Sequence, residues 1–238
     1  MFKTVCAAIL FALISVTANP ARAAMSAVNP ALVQNLDARP KKVVLLPPQI
    51  FVFELSAGGV PTRMSDWEAA ARANLSAAAR QGAAESRVFE LLEAPAPDAM
   101  EQATLDAHIG LYDRVAESVF VYGRGEQSAW AHKKNEFDYT LGGGLDFLRD
   151  ETGADAALIV LGADYISSGG RKAAFIAGLA LGMIMPLGQS FVAAGVIDLK
   201  TGDVQWMGFD SSSSLDTRNP DDVNAMMRTL FETWPGPR

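Results

Sequence analysis

The chain has 238 residues, half of them apolar, and a formal net charge of −7 at pH 7. That acidity, with no clustered Lys/Arg stripe to offset it, excludes nucleic acid as a partner class, because an acidic surface repels a phosphate backbone. The single cysteine is Cys6, so everything downstream of it is closed to disulfides, thiolate catalysis and Cys-ligated metal centres.

Residues 1–23 (MFKTVCAAILFALISVTANPARA) carry Lys3, an apolar run from Val5 to Val16, and Ala21-Arg22-Ala23 as a small-x-small cleavage site. This is the pattern of a cleavable secretory signal peptide, and its apolar part is shorter than the roughly 20 residues a membrane span needs. Cys6 lies far upstream of the expected cut after Ala23, so no cysteine stands where a lipoprotein would be acylated. The expectation is a periplasmic protein without a lipid anchor. Loss of the leader removes Lys3 and Arg22 and no acid, which makes the remainder more acidic still.

Residues 24–40 mix small and polar residues with two prolines and read as a flexible tether. A single domain is expected over residues 41–238. KKVVLLPP (41–48) is an apolar run closed by two prolines, a strand buried on both faces and then stopped. Residues 50–55 offer a second short strand. Ser65-Asp66-Trp67-Glu68 has capping-box spacing, and the alanine-rich stretch after it predicts a helix to Gln81, closed by Gly82. Residues 87–92 read as a strand. Asp98 is placed to cap a helix whose apolar face is Leu105, Ile109, Tyr112, Ala116 and Val119, running to about Arg124. Residues 126–138 are a polar surface connection carrying Trp130 and Phe137, and 141–152 is a short helix ended by Gly153.

AALIVL (156–161) is the clearest buried strand. Residues 191–199, Lys200-Thr201-Gly202-Asp203 and residues 204–209 predict a hairpin with glycine where positive φ is needed. Asn219-Pro220-Asp221-Asp222 combines an N-cap, a first-turn proline and two acids suited to the helix dipole, and opens a last helix. The order implies an α/β domain with a mixed β-sheet flanked by helices, a late hairpin and a C-terminal helix.

No catalytic or cofactor motif of high specificity is present. His108 and His132 belong to no ligand or triad spacing, there is no Gly-x-Ser-x-Gly elbow, and Gly142-Gly143-Gly144 lacks the Gly-Lys-Ser/Thr ending of a phosphate loop. No cofactor is expected. Asp164 and Asp210, at strand ends, are the carboxylates a cofactor-independent hydrolase would use.

Residues 173–187 form the sharpest oddity, an uncharged run long for a strand and short for a membrane span. Gly178 and Gly182 make a small-xxx-small pair, and Arg171 and Lys172 precede the run. Three readings stand open: a buried core helix, a helix for a partner or for self-association, and a membrane-touching element. The contact candidates are Ser168, Arg171, Lys172, Phe175, Gly178 and Gly182, with Trp130 and Phe137 as aromatic anchors.

The sequence from Lys41 to Trp234 resembles a broad group of bacterial envelope proteins. The resemblance rests on the VVLLPP strand, TGADAALIV (152–160), the Gly-rich apolar insert and AAGVIDLKTGDVQW (193–206). The group includes uncharacterised periplasmic proteins and, more distantly, the curli-secretion and penicillin-binding-protein-activator lipoproteins. The resemblance implies a non-enzymatic role in assembly, secretion or regulation, exercised through an envelope protein partner or through self-association. Peripheral membrane contact through residues 173–187 is the other way such a protein could work.

Overall fold

The two prolines at 47 and 48 interrupt a strand without redirecting it. In the computed structural model, which describes residues 24–122, 136–182, 186–213 and 215–236, β2 (Lys42–Leu45) and β3 (Gln49–Leu55) run one after the other along β6 (Ala156–Ser167), both parallel to it. Leu45 faces Leu158 and Gln49 faces Leu161, so the β2–β3 side carries one residue more than β6 between those two pairs. Proline has no N–H to give the ladder, and the amide of Leu46 makes the last bond before the break, to the carbonyl of Leu158 at 3.1 Å.

The mixed sheet is ordered β5 (Glu90–Glu93), β2, β6, β7 (Gln189–Asp198), β8 (Val204–Ser212) and β1 (Met25–Val28), with β3 and then β4 (Pro61–Arg63) beside the second half of β6. β5, β2 and β3 belong to the parallel part, and β7, β8 and β1 pair antiparallel. The fold class read from the sequence is the one the chain adopts.

Strand alternation sends two apolar sets to opposite faces. Val43, Val52, Leu158, Val160, Val196 and Trp206 lie under α2 (Ser65–Ser86) and α6 (Pro220–Phe231). Val44, Leu46, Ala157, Ile159, Ile197 and Met207 lie under α3 (Ala99–Glu117) and α4 (Asp146–Thr152). Among the described residues, the second face is sealed near the start of β6, and Leu161, Ala163 and Tyr165 further along it are half-buried.

Several local expectations are met. Asp98 caps α3 through its carboxylate, and Glu101 reaches back to the Asp98 amide at 2.7 Å. Gly153 (φ +69°) ends α4, Gly202 (φ +76°) turns the hairpin, and Asn219 caps α6 ahead of Pro220. Others are corrected. Residues 24–40 are not simply a tether: β1 pairs with β8, α1 (Pro30–Gln34) follows, and Leu32 is buried in the core. Composition concealed this, because an edge strand of small residues needs partners more than a strong pattern of its own. Ser65 caps nothing, since α2 begins after Met64, and Glu68 is drawn away into a bidentate pair with Arg63 at 2.7 and 3.0 Å.

Gly82 does not end α2, which runs on to Ser86 and stops at Arg87 (φ +53°). The glycine is there for space, because a Cβ on it would stand 2.9 Å from the Phe231 ring of α6. α4 is shorter than predicted, with the three glycines outside it, and Thr140 in that approach bridges to Asp203 of the hairpin. α3 passes directly into one turn of π-helix, Ser118–Tyr122. Residues 1–23, His132, Trp130 and the expected end of the Asp98 helix near Arg124 lie outside the described residues.

Candidate functional site: an exposed apolar helix and an aromatic groove

The Gly-rich apolar run begins as α5 (Gly169–Ala180). Its start is set by Ser168, whose hydroxyl accepts from the Arg171 amide at 3.2 Å. The Arg171 guanidinium is buried, donating through Nε and Nη2 to the Pro186 carbonyl at 3.1 and 2.6 Å. It therefore ties the two ends of the segment together and is not presented to headgroups or to a partner, as the sequence had suggested. Lys172 is exposed.

Along the helix only Gly178, besides Arg171, is buried, and Phe175 is half-buried. Ile176, Leu179 and Leu181 are 68%, 50% and 78% exposed. The buried-core reading of this segment is thereby overturned. β6 ends at Ser167, beyond the α3–α4 layer, and the chain that follows has little left to pack on. Gly182 takes φ +73° just past the helix. Phe137 is also corrected: it is 9% exposed, part of the core under α3, with its ring 5.5 Å from Tyr139.

A second surface was not foreseen as a site. On the unsealed face of the sheet, Ala163 of β6 sits in register between Phe51 of β3 and Phe191 of β7. The adjacent row is Gln49, Leu161, Ala193 and Phe209. A small residue between two phenylalanines makes a trough along β6, and the stacked Phe53–Tyr165 pair (5.0 Å between centroids) stands in the next row. The facing wall is α3, where Gly110 and Ala116 leave room, continued by the π-helical turn, where Phe120 stacks on Phe209 at 5.1 Å. The cavity measures about 600 Å³, within the range of roughly 300–1,000 Å³ that holds a drug-sized ligand.

Its apolar floor meets a charged rim from α3: Asp106, Asp113, Glu117 and Arg114. Arg114 is already engaged with Asp113 and, at 2.7 Å, with Glu117. Phe51 is 46% exposed within this groove, and the Arg63 guanidinium lies 4.6 Å above its ring. The signal in the sequence was the alternation Ile50-Phe51-Val52-Phe53, which marks a strand apolar on both faces. Nothing in it says that one of the faces goes uncovered.

The carboxylates expected of a hydrolase do not converge there. Asp164 is not at a strand end, because β6 continues past it, and it is fully buried on the opposite, α2–α6 face. Its Oδ1 is 2.5 Å from the Ser190 hydroxyl, and its Oδ2 accepts from the Thr217 amide and hydroxyl at 2.9 and 2.7 Å. Burial pushes the Asp164 carboxyl up, against the opposing effect of those hydrogen bonds. Asp210 is likewise buried, and its register partner is Val192 on β7, whereas that of Asp164 is Ser190. Neither aspartate lines the groove. His108 is buried in α3 with Nδ1 2.8 Å from the Thr104 carbonyl.

No protein-family model matches the chain, and no curated protein does. Among solved structures the chain is similar to the PelC dodecamer of Paraburkholderia phytofirmans in two crystal forms. One, a leucine-to-methionine variant, aligns with TM-score 0.39 and 12% identity over 87% of this chain and 95% of that one. The other aligns with TM-score 0.36 and 12% identity over 90% and 98%.

Proposed function

We propose that this chain is an envelope protein, exported by its N-terminal leader, that acts without catalysis by binding another protein through α5. The observation that supports the reading most directly is the exposure of Ile176 and Leu179 on one short helix and of Leu181 at its end. Scattered exposed aliphatic side chains are ordinary, and Val33, Leu36, Val60 and Met100 are others here, whereas several grouped on one short element mark a contact site. The helix is also anchored for display. Ser168 caps its start, and Arg171 clamps the chain that returns from it. Among the described residues no helix is long and apolar enough to cross a membrane.

The test is the double substitution Ile176→Asp and Leu179→Asp. Crosslinking in intact cells, with light scattering on the purified protein, should lose a species that the wild type shows, whether a second copy or another envelope protein. The thermal midpoint should stay put, because exposed substitutions change stability by only about 0.5 kcal/mol. An unchanged crosslinking pattern in the folded variant would sink the proposal. Sedimentation with anionic vesicles that Lys172→Glu abolishes would replace the protein partner with a lipid surface.

A further inference from the structure

The groove between α3 and the uncovered face of the sheet has no part in the α5 reading and carries an inference of its own. Its walls are aromatic: Phe51 on one side, Phe191 and Phe209 on the other, with Ala163 at the bottom. Such a trough suits a flexible or flat apolar body. The rim is asymmetric. Asp106, Asp113 and Glu117 recur along α3 at spacings that keep them on one side of the helix, and Arg114 is the one cation among the four charged residues of the described rim. Arg114 compensates a single carboxylate in charge while bonding to two, so the edge keeps a net negative charge.

Phenylalanine faces add to that field, because an aromatic ring attracts a cation over its face. The ring of Phe51 already holds one guanidinium, from Arg63, at 4.6 Å.

We propose that this groove binds an amphipathic cation, its apolar body laid along Ala163 between the phenylalanines and its positive head at the carboxylates of α3. An anionic amphiphile of the same body would meet Asp106, Asp113 and Glu117 with like charge. A neutral one would gain the apolar contact alone. The occupant is a small amphiphile, since the cavity's volume is that of a drug-sized ligand.

Calorimetric titration of the whole chain after signal removal tests this, with dodecyltrimethylammonium, dodecyl maltoside and dodecyl sulfate, each below its micelle concentration. The cation should bind tightest, by about tenfold or more over the sulfate, equivalent to about 1.4 kcal/mol. Ala163→Phe, which fills the trough, should remove binding. Ala193→Leu provides a second, milder filling should the first variant fold poorly, and should weaken binding in the same direction. Asp113→Asn with Glu117→Gln should erase the preference for the cation while leaving maltoside binding unchanged.

Equal affinity for the three head groups, or binding that survives both filled variants, would overturn the proposal. So would binding that is lost in the Ile176→Asp, Leu179→Asp protein and kept in the filled ones, which would place the detergent on α5. A lysine-flanked apolar peptide that occupies the groove when no amphiphile does would also overturn it in favour of a peptide. Loss of the crosslinked species in the α5 variant, by contrast, bears only on the protein-contact function.

Discussion

Asp164 shows what a single residue can decide about a protein's response to pH. The Ser190 hydroxyl has one proton and two acceptors within reach, Asp164 Oδ1 at 2.5 Å and the Leu215 carbonyl at 2.9 Å. If Asp164 carries its own proton, Oδ1–H donates to Ser190 and Ser190 donates to Leu215, and every group is satisfied. The raised pKa of this buried carboxyl points the same way. A folded-state pKa above the unfolded value means that the stability is fully present below the ordinary aspartate value of 3.8 and is lost as pH rises through the folded value.

Asp164→Asn copies the protonated form, with its amide donating to Ser190 and its carbonyl accepting from Thr217. It should match or exceed the wild type in thermal midpoint at pH 7, with the difference closing as pH is lowered toward 4. Asp164→Ala strands the Thr217 donors and should cost about 1–3 kcal/mol by urea denaturation. Glu68 is the opposite case. The Arg63 guanidinium lowers its pKa, so its contribution is present above the ordinary glutamate value of 4.5 and lost as pH falls through the folded one. The two carboxyls were equally visible as letters. Their opposite behaviour arises because a guanidinium paired with Glu68 outweighs its burial, whereas at Asp164 burial outweighs the hydrogen bonds from two hydroxyls and an amide, which by themselves hold a carboxyl down.

At the scale of elements, the position of α3 governs the groove. Its buried Tyr112 lies flat on Gly195 of β7, where a Cβ would fall inside the tyrosine ring's own volume. Gly195→Ala must therefore lift α3 or tilt the ring. Overpacking of this kind costs about 1–3 kcal/mol, and it should appear both as a lowered urea midpoint and as weaker cation binding in the groove, although residue 195 does not line it. An unchanged midpoint would mean that Tyr112 has room to move. Helix ends were the most legible elements in the sequence. Asp98, Gly153 and Asn219 act locally, through backbone groups two to four residues away, so neighbours in the chain suffice to define them. Ser65-x-x-Glu68 had equally good local chemistry and failed, because Arg63, folded back on β4 against the helix start, offers Glu68 a full charge where the cap offers one amide.

For the whole molecule, the sheet has one edge strand whose removal can be tested. β1 covers β8, with Met25 facing Phe209 and Val28 facing Trp206. Deleting residues 24–29 should bare the β8 edge and produce concentration-dependent association through exposed strand hydrogen bonds, visible by light scattering and suppressed by a proline placed in β8 at Ser211. A deletion that stays monodisperse would show that β1 adds little to the fold. This association must persist in the Ile176→Asp, Leu179→Asp background, which separates an edge artefact from contact through α5.

The α/β class, strands β2, β3, β5, β6, β7 and β8, the hairpin at Gly202 and the helix ends at Asp98, Gly153 and Asn219 were legible in the sequence. Each of these depends on chain neighbours or on a hydrophobic period, and both are written in linear order. Packing between distant segments settled that residues 24–40 hold a strand, that Phe137 and Arg171 are buried, and that α5 stands in solvent. It also decided that Phe51, Ala163 and Phe191 stand side by side on a part of one sheet face that the described helices leave open. The physical reason is the same throughout. Apolar residues state that burial is favourable, but which of them obtain it depends on where layers end, and a layer's end is a property of strands brought together from more than 100 residues apart.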